Sequence, residues 1–222
     1  MLKRALTNIH RLLGENGTRR WKGRIELAAR EMEGTPCKLR LIGEAGDAEQ
    51  TLDLLAEFRY AEVFHSLGFR VEFIQGANLP DLKATREGHE IYIEVKRFRI
   101  VHPGPPPLPE GEFTLEEYGN PDRDIRKTLQ NIEDKLRQLP PAHSVIAIWN
   151  NDEDLEELEV QDAVEHLSLR PPEDLLFVVY GWPQCVLRNA PPQQLFCFPA
   201  KPTLEPWCHQ LMADLQKTHI AV

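Results

Sequence analysis

The stretch Ile91-Tyr-Ile-Glu-Val-Lys-Arg-Phe98 constrains this chain more than any other. Its side chains alternate as a strand requires, with Ile91, Ile93 and Val95 on one face and Tyr92, Glu94 and Lys96 on the other. An apolar β-branched face must be buried, so the chain needs a sheet with cover over it. Positions i and i+2 of a strand face the same way, so Glu94 and Lys96 project together while Val95 points into the core. Gly88 marks a hairpin turn, and a short strand is expected over 81–85. Returning antiparallel through Gly88 brings Asp81 near Glu94. Asp81 follows the turn 76–80, at a strand edge where a site can be open. Two carboxylates and one ammonium are then expected at one spot.

The surrounding periodicity predicts a mixed α/β fold with one central sheet flanked by helices. Leu2, Leu6, Ile9, Leu12 and Leu13 recur at helical spacing, and so do Trp21, Ile25, Ala28, Ala29 and Met32. Two helices are expected there, broken at 14–17 and stopped at Gly34. A third runs over 50–67 and ends at Gly68, which suits a left-handed C′ position. Strands follow over 69–74, 144–149, 175–180 and 195–198, and helices over 122–139 and 203–217. The proline-rich run 103–109 is a loop, since proline fits neither a helix interior nor an inner strand. The segment 150–165 reads as a loop feeding an acidic helix. The expected division is a basic helical N-terminal extension, 1–49, and a main domain, 50–222.

Composition excludes several classes. Of 222 residues, 41% are hydrophobic and 27% charged, which is ordinary for a globular chain and wrong for a disordered one. No apolar run is long enough to span a membrane. The four cysteines, Cys37, Cys185, Cys197 and Cys208, show no zinc spacing and read as free thiols of a reducing cytoplasm. No signal peptide is read at the N-terminus, so a cytoplasmic location is expected.

The net charge of −9 argues at first against a nucleic-acid binder. It is an average over segregated segments. Residues 1–43 hold ten bases against four acids, a local +6. Residues 57–99 hold seven of each, and residues 152–165 hold eight acids and no base. Arg19, Arg20 and Lys22, beside Trp21, are candidates to grip a nucleic-acid backbone. Arg97 and Arg99 are further candidates to meet phosphates. The acidic segment 152–165 is a candidate surface for a protein partner.

Two carboxylates with room for water suit a hard cation such as Mg²⁺ or Mn²⁺, which keeps several waters. Such an ion polarises a phosphoryl oxygen and makes a bound water more acidic. A neighbouring lysine can orient that water or stabilise transition-state charge.

The motif Pro80-Asp81, then Glu94-Val95-Lys96 after twelve residues, resembles that of the PD-(D/E)XK nuclease superfamily, the restriction-endonuclease-like fold. Glu57 on the preceding helix and Leu67-Gly68-Phe69-Arg70-Val71 support the likeness, which covers residues 50–100. The resemblance implies an αβββαβ core and metal-dependent hydrolysis of phosphodiesters, with DNA as the leading substrate and RNA as the other. It implies that Asp81 and Glu94 bind the metal with the backbone carbonyl of Val95, that Glu57 helps hold it, and that Lys96 acts on the water. In some members a glutamine or lysine of the following helix also enters the site, which makes Gln130 and Lys127 accessory candidates. A homodimer would let two sites cut two strands. The competing expectation is a catalytically silent module on the same fold, acting as a protein-interaction or regulatory subunit.

Overall fold

A computed structural model of the chain describes residues 1–76, 79–98, 143–150, 160–161, 164–165, 174–181 and 195–218. Among them are four helices, α1 (Leu2–Glu31), α2 (Thr35–Glu44), α3 (Ala48–Ser66) and α4 (Pro206–Lys217). The six strands are β1 (Arg70–Phe73), β2 (Leu82–Arg86), β3 (His89–Phe98), β4 (Ser144–Asn150), β5 (Leu175–Gly181) and β6 (Leu195–Pro199). They form one mixed sheet in the order β1-β2-β3-β4-β5-β6. The first three strands are antiparallel, β3, β4 and β5 run parallel, and β6 returns antiparallel. The chain is therefore α/β with a central mixed sheet. The expected helix over 122–139, the proline loop 103–109 and most of the acidic segment 152–165 lie outside the described residues.

Local sequence explains the elements near the strand that carries Glu94. Glu87 (φ 53°) and Gly88 (φ 83°) form a two-residue turn with both φ values positive, and Arg86 pairs with His89 across it. That turn twist matches the twist of the flanking strands. Asp47 caps α3, its side chain accepting from the backbone N–H of Gln50 at 2.7 Å. Gly68 (φ 83°) follows α3 as expected and turns the chain into β1.

The N-terminal region differs from the expectation in two ways. The two helices of 1–32 are one helical run bent at Gly14 alone, whose backbone (φ 68°, ψ −168°) interrupts the helix before it resumes. A further helix, α2, follows at once. Gly34 (φ 77°) sits against β1, where a Cβ would collide with the Phe73 carbonyl. The Phe73 N–H donates to the Glu33 carbonyl at 2.9 Å at the same place. This close approach of glycine to a strand lets the chain turn straight into α2.

Residues 1–49 are also not a separate appendage. Ile9, Ile25 and Ala28 of α1 and Leu39 and Ile42 of α2 belong to the same buried cluster as Phe58, Phe64, Val71 and Ile93. The boundary near residue 49 therefore does not divide two cores. No helix among the described residues is long and apolar enough to cross a membrane. Cys197 and Cys208 are buried free thiols.

The helix α3 is tied across the sheet by Tyr60, which is fully buried and donates its hydroxyl to the Ile148 carbonyl of β4 at 2.5 Å. The Tyr60 ring also meets Trp149 edge-on at 5.9 Å between centroids. Tyr60→Phe keeps the ring and removes the donor. It should lower the unfolding free energy by about 1–3 kcal/mol, since a buried carbonyl loses its partner. Urea denaturation of the two proteins measures it, and equal midpoints would contradict this role.

A candidate active site at the end of the second and third strands

Leu82 pairs with Ile93, so Asp81 stands one residue beyond the ladder, opposite Glu94. Its backbone is held on both sides: Asp81 N–H donates to the Ile93 carbonyl at 3.1 Å, and the Asp81 carbonyl accepts from Ile74 at 3.0 Å. Its side chain is held as well, because Oδ2 accepts from the Val95 N–H at 2.8 Å. Glu94 and Lys96 share a face as the strand period demands, with Lys96 Nζ 3.2 Å from Glu94 Oε1. Val95 turns its side chain into the core. Glu94 is fully buried, whereas the Lys96 side chain is 42% exposed. The pair thus runs from the interior to solvent.

The helix α3 brings the third carboxylate. Glu49, Asp53 and Glu57 are spaced by four residues and form one acidic stripe. The stripe is matched by cations from two other elements. Arg97 of β3 engages Glu49 and Asp53, the latter at 2.9 Å. Lys38 of α2 engages Glu57. A shallow cleft of about 330 Å³ between α2 and α3 is lined by Leu41, Glu44, Gln50, Asp53, Leu54 and Glu57.

Electrostatics binds these groups into one unit. Burial pushes Glu57 up to about 8, and the negative charge of Asp81 adds to it, while Lys38 pulls it down. Burial also raises Asp81, followed by the charge of Glu94, against the Val95 hydrogen bond and the two lysines. For Lys96, burial works to lower the pKa, but Glu94, Asp81 and Asp53 outweigh it and the net shift is upward. Lys96 is therefore an ammonium at neutral pH. It can stabilise negative charge or orient water, and it is poorly suited to take a proton.

The donor set was tested against a divalent ion on this arrangement. Among the described residues no group of three or more Asp, Glu, His or Cys side chains is placed to hold a metal. Two adjacent carboxylates of mutually raised pKa, one half-buried and reachable, do fit a hard ion that keeps most of its water. Asp81 and Glu94 are those two, and the third carboxylate, Glu57, already faces Lys38.

The remaining sequence candidates lie elsewhere. Arg97 is not a free phosphate contact, because its side chain is 5% exposed and bound by two carboxylates. Arg19, Arg20 and Lys22 lie exposed on α1, where Arg19 pairs with Glu15 at 3.2 Å and Lys22 with Glu26 at 3.9 Å. Trp21 is half-buried against the core, with the guanidinium groups of Arg24 and Arg59 over its ring at 5.5 and 5.8 Å. Both arginines also pair with Glu62, so this cluster is structural packing. Arg99, Lys127 and Gln130 lie outside the described residues.

Sequence reading missed Lys38. A signal was available: Thr35, Lys38, Leu39 and Ile42 recur at i, i+3, i+4 and i+7 after Pro36, and all four are buried. A lysine on such a stripe implies a buried acidic partner.

No protein-family model matches the chain, and no curated protein matches it. Among solved structures, a chain of the CdiA-CT/CdiI toxin and immunity complex from Burkholderia pseudomallei is similar at 16% identity and a TM-score of 0.35. That match covers 61% of this chain and 81% of the other.

The raised pKa of Glu57 sets a pH dependence. Unfolded, this group loses its proton near its ordinary 4.5; folded, it keeps it up to about 8. Between these values the folded chain binds more protons than the unfolded one. The contribution of Glu57 to stability is thus full below 4.5 and is lost as pH rises through about 8. Glu57→Gln removes this titration. In chelator, the variant should gain on wild type steadily as pH rises across that window, measured by urea midpoints. Parallel curves for the two proteins would show that Glu57 titrates normally.

Proposed function

We propose that this protein is a metal-dependent nuclease of the PD-(D/E)XK type, hydrolysing phosphodiester bonds with Mg²⁺ or Mn²⁺, DNA being the first substrate to test. The observation that carries the reading is the adjacency of Asp81 and Glu94 at the end of a β-hairpin, with Lys96 on the Glu94 face at 3.2 Å. The order of elements also supports it. A helix bearing Glu57 precedes three antiparallel strands, and the next described strand, β4, runs parallel to the third. That is the sequence of elements expected of a restriction-endonuclease-like core.

Asp81 and Glu94 would hold the ion, with the Val95 carbonyl between them in sequence. A bound Mg²⁺ supplies polarisation of a phosphoryl oxygen and a more acidic water. The Val95 N–H fixes the Asp81 carboxylate so that it does not have to be ordered when the ion arrives. Lys96, cationic and partly exposed, faces the solvent side of Glu94 and is placed to stabilise the extra negative charge of a pentacovalent transition state. The half-exposed end of the pair is where a phosphodiester can approach, since Glu94 itself is closed to solvent.

Asp81→Asn, Glu94→Gln and Lys96→Ala should each lower cleavage by about 10²-fold or more, and chelator should abolish it. The measurement is a gel panel of duplex, branched and single-stranded DNA and of RNA with Mg²⁺ and with Mn²⁺. A protein that cuts none of these, or a Lys96→Ala variant that cuts as well as wild type, would sink the proposal.

A further inference from the structure

The molecule holds one buried cation that neither the strand motif nor the proposed chemistry uses. Lys38 is 5% exposed and lies on the core-facing stripe of α2, among Thr35, Leu39 and Ile42. Its ammonium contacts Glu57 of α3, itself 8% exposed, and its charge also reaches Asp81. Lysine is among the residues least often buried, and a buried one needs an opposed charge. Here the opposed charge belongs to the three-carboxylate cluster.

We propose that Lys38 is the resident cation of this site. It takes the place beside Glu57 that a metal would otherwise fill, so that the divalent ion is held by Asp81 and Glu94 and Glu57 is not among its ligands. This rests on the metal-site reading above and makes it more specific. Four observations converge on it. The Lys38–Glu57 contact is within the protein and buried on both sides. Among the described residues no three carboxylates are placed for a common metal. Asp81 is aimed by the Val95 N–H toward β3, on the Glu94 side. The turn at Gly34, pressed against Phe73, docks α2 where its lysine meets α3.

The chemical consequence is a division of labour. A divalent ion beside Glu57 would be exchangeable, whereas an ammonium carried on a packed helix is permanent. Lys38 therefore positions Glu57 and limits the number of ions the site can take. A purely structural ion pair would instead hold α2 to α3 and leave metal binding untouched.

The test is calorimetric titration with Mn²⁺ alone, without nucleic acid, on wild type, Glu57→Gln, Lys38→Met, the Lys38→Met/Glu57→Gln double variant and Glu94→Gln. Wild type should bind one ion per chain, and Glu57→Gln should bind it with unchanged affinity. Lys38→Met frees Glu57, so it should take a second ion or bind the first about tenfold or more tightly. The double variant should return to the wild-type isotherm. The proposal is overturned if Glu57→Gln weakens Mn²⁺ binding by about tenfold or more. It is also overturned if the Lys38→Met isotherm superposes on wild type, whatever its melting temperature. If Lys38→Met does not fold, the Glu57→Gln arm still decides. Loss of the isotherm in Glu94→Gln reports on the metal site separately, so Lys38 can fail while that reading stands. If neither wild type nor Lys38→Met binds Mn²⁺, both fall.

Discussion

Three carboxyl groups share one buried corner of this protein, and their mutual repulsion decides what must surround them. Glu94 is closed to solvent, Glu57 is nearly so, and Asp81 is half-buried beside them. Each raises the cost of ionising another. The protein offsets that cost in three ways. It brings ammonium groups from two different elements, Lys38 and Lys96. It donates a backbone N–H to Asp81. It leaves Glu57 with a proton to spare up to about 8. A cluster arranged for stability alone would replace such groups by apolar ones, often at no loss. Their retention at an accessible sheet edge is the reason to look for chemistry there.

The same logic explains the helix that covers the site. An acidic stripe of Glu49, Asp53 and Glu57 would be an ordinary solvated face on an exposed helix. On α3 it turns instead toward β3 and α2, where Arg97 and Lys38 answer it residue by residue. Arg97 thereby fixes the first two turns of α3 over the strand, and Glu57, one turn further on, is delivered to the carboxylate corner. Arg97 looked from its sequence context like a phosphate contact. Its five donors are engaged by helix acids because it lies on a strand face that α3 covers. Adjacent basic residues on a strand point to opposite faces, so the Lys96-Arg97 pair could not act together.

Sequence patterns of short range were the legible part. The two-residue period put Glu94 and Lys96 on one face and Val95 in the core. Two positive-φ positions at Glu87 and Gly88 closed the hairpin that carries Asp81 to Glu94. Helix α3 and its stop at Gly68 followed from the 3.6 period and the glycine. The reading stopped at Gly34, because a glycine after a helix usually signals its end and gives no hint that a second helix starts on the next residue. The division at residue 49 failed for a related reason. Charge composition shifts there, but the core does not, and charge reports on surfaces while burial decides domains.

What the sequence determined by itself is therefore the chemistry within one hairpin, where neighbours along the chain are also neighbours in space. The tertiary structure alone decided which distant charges complete it: Lys38 against Glu57, and Arg97 against Asp53 and Glu49. Those pairs are separated by nineteen or more residues. No local period encodes them; they form only when α2, α3 and β3 pack and water is removed from between their charges.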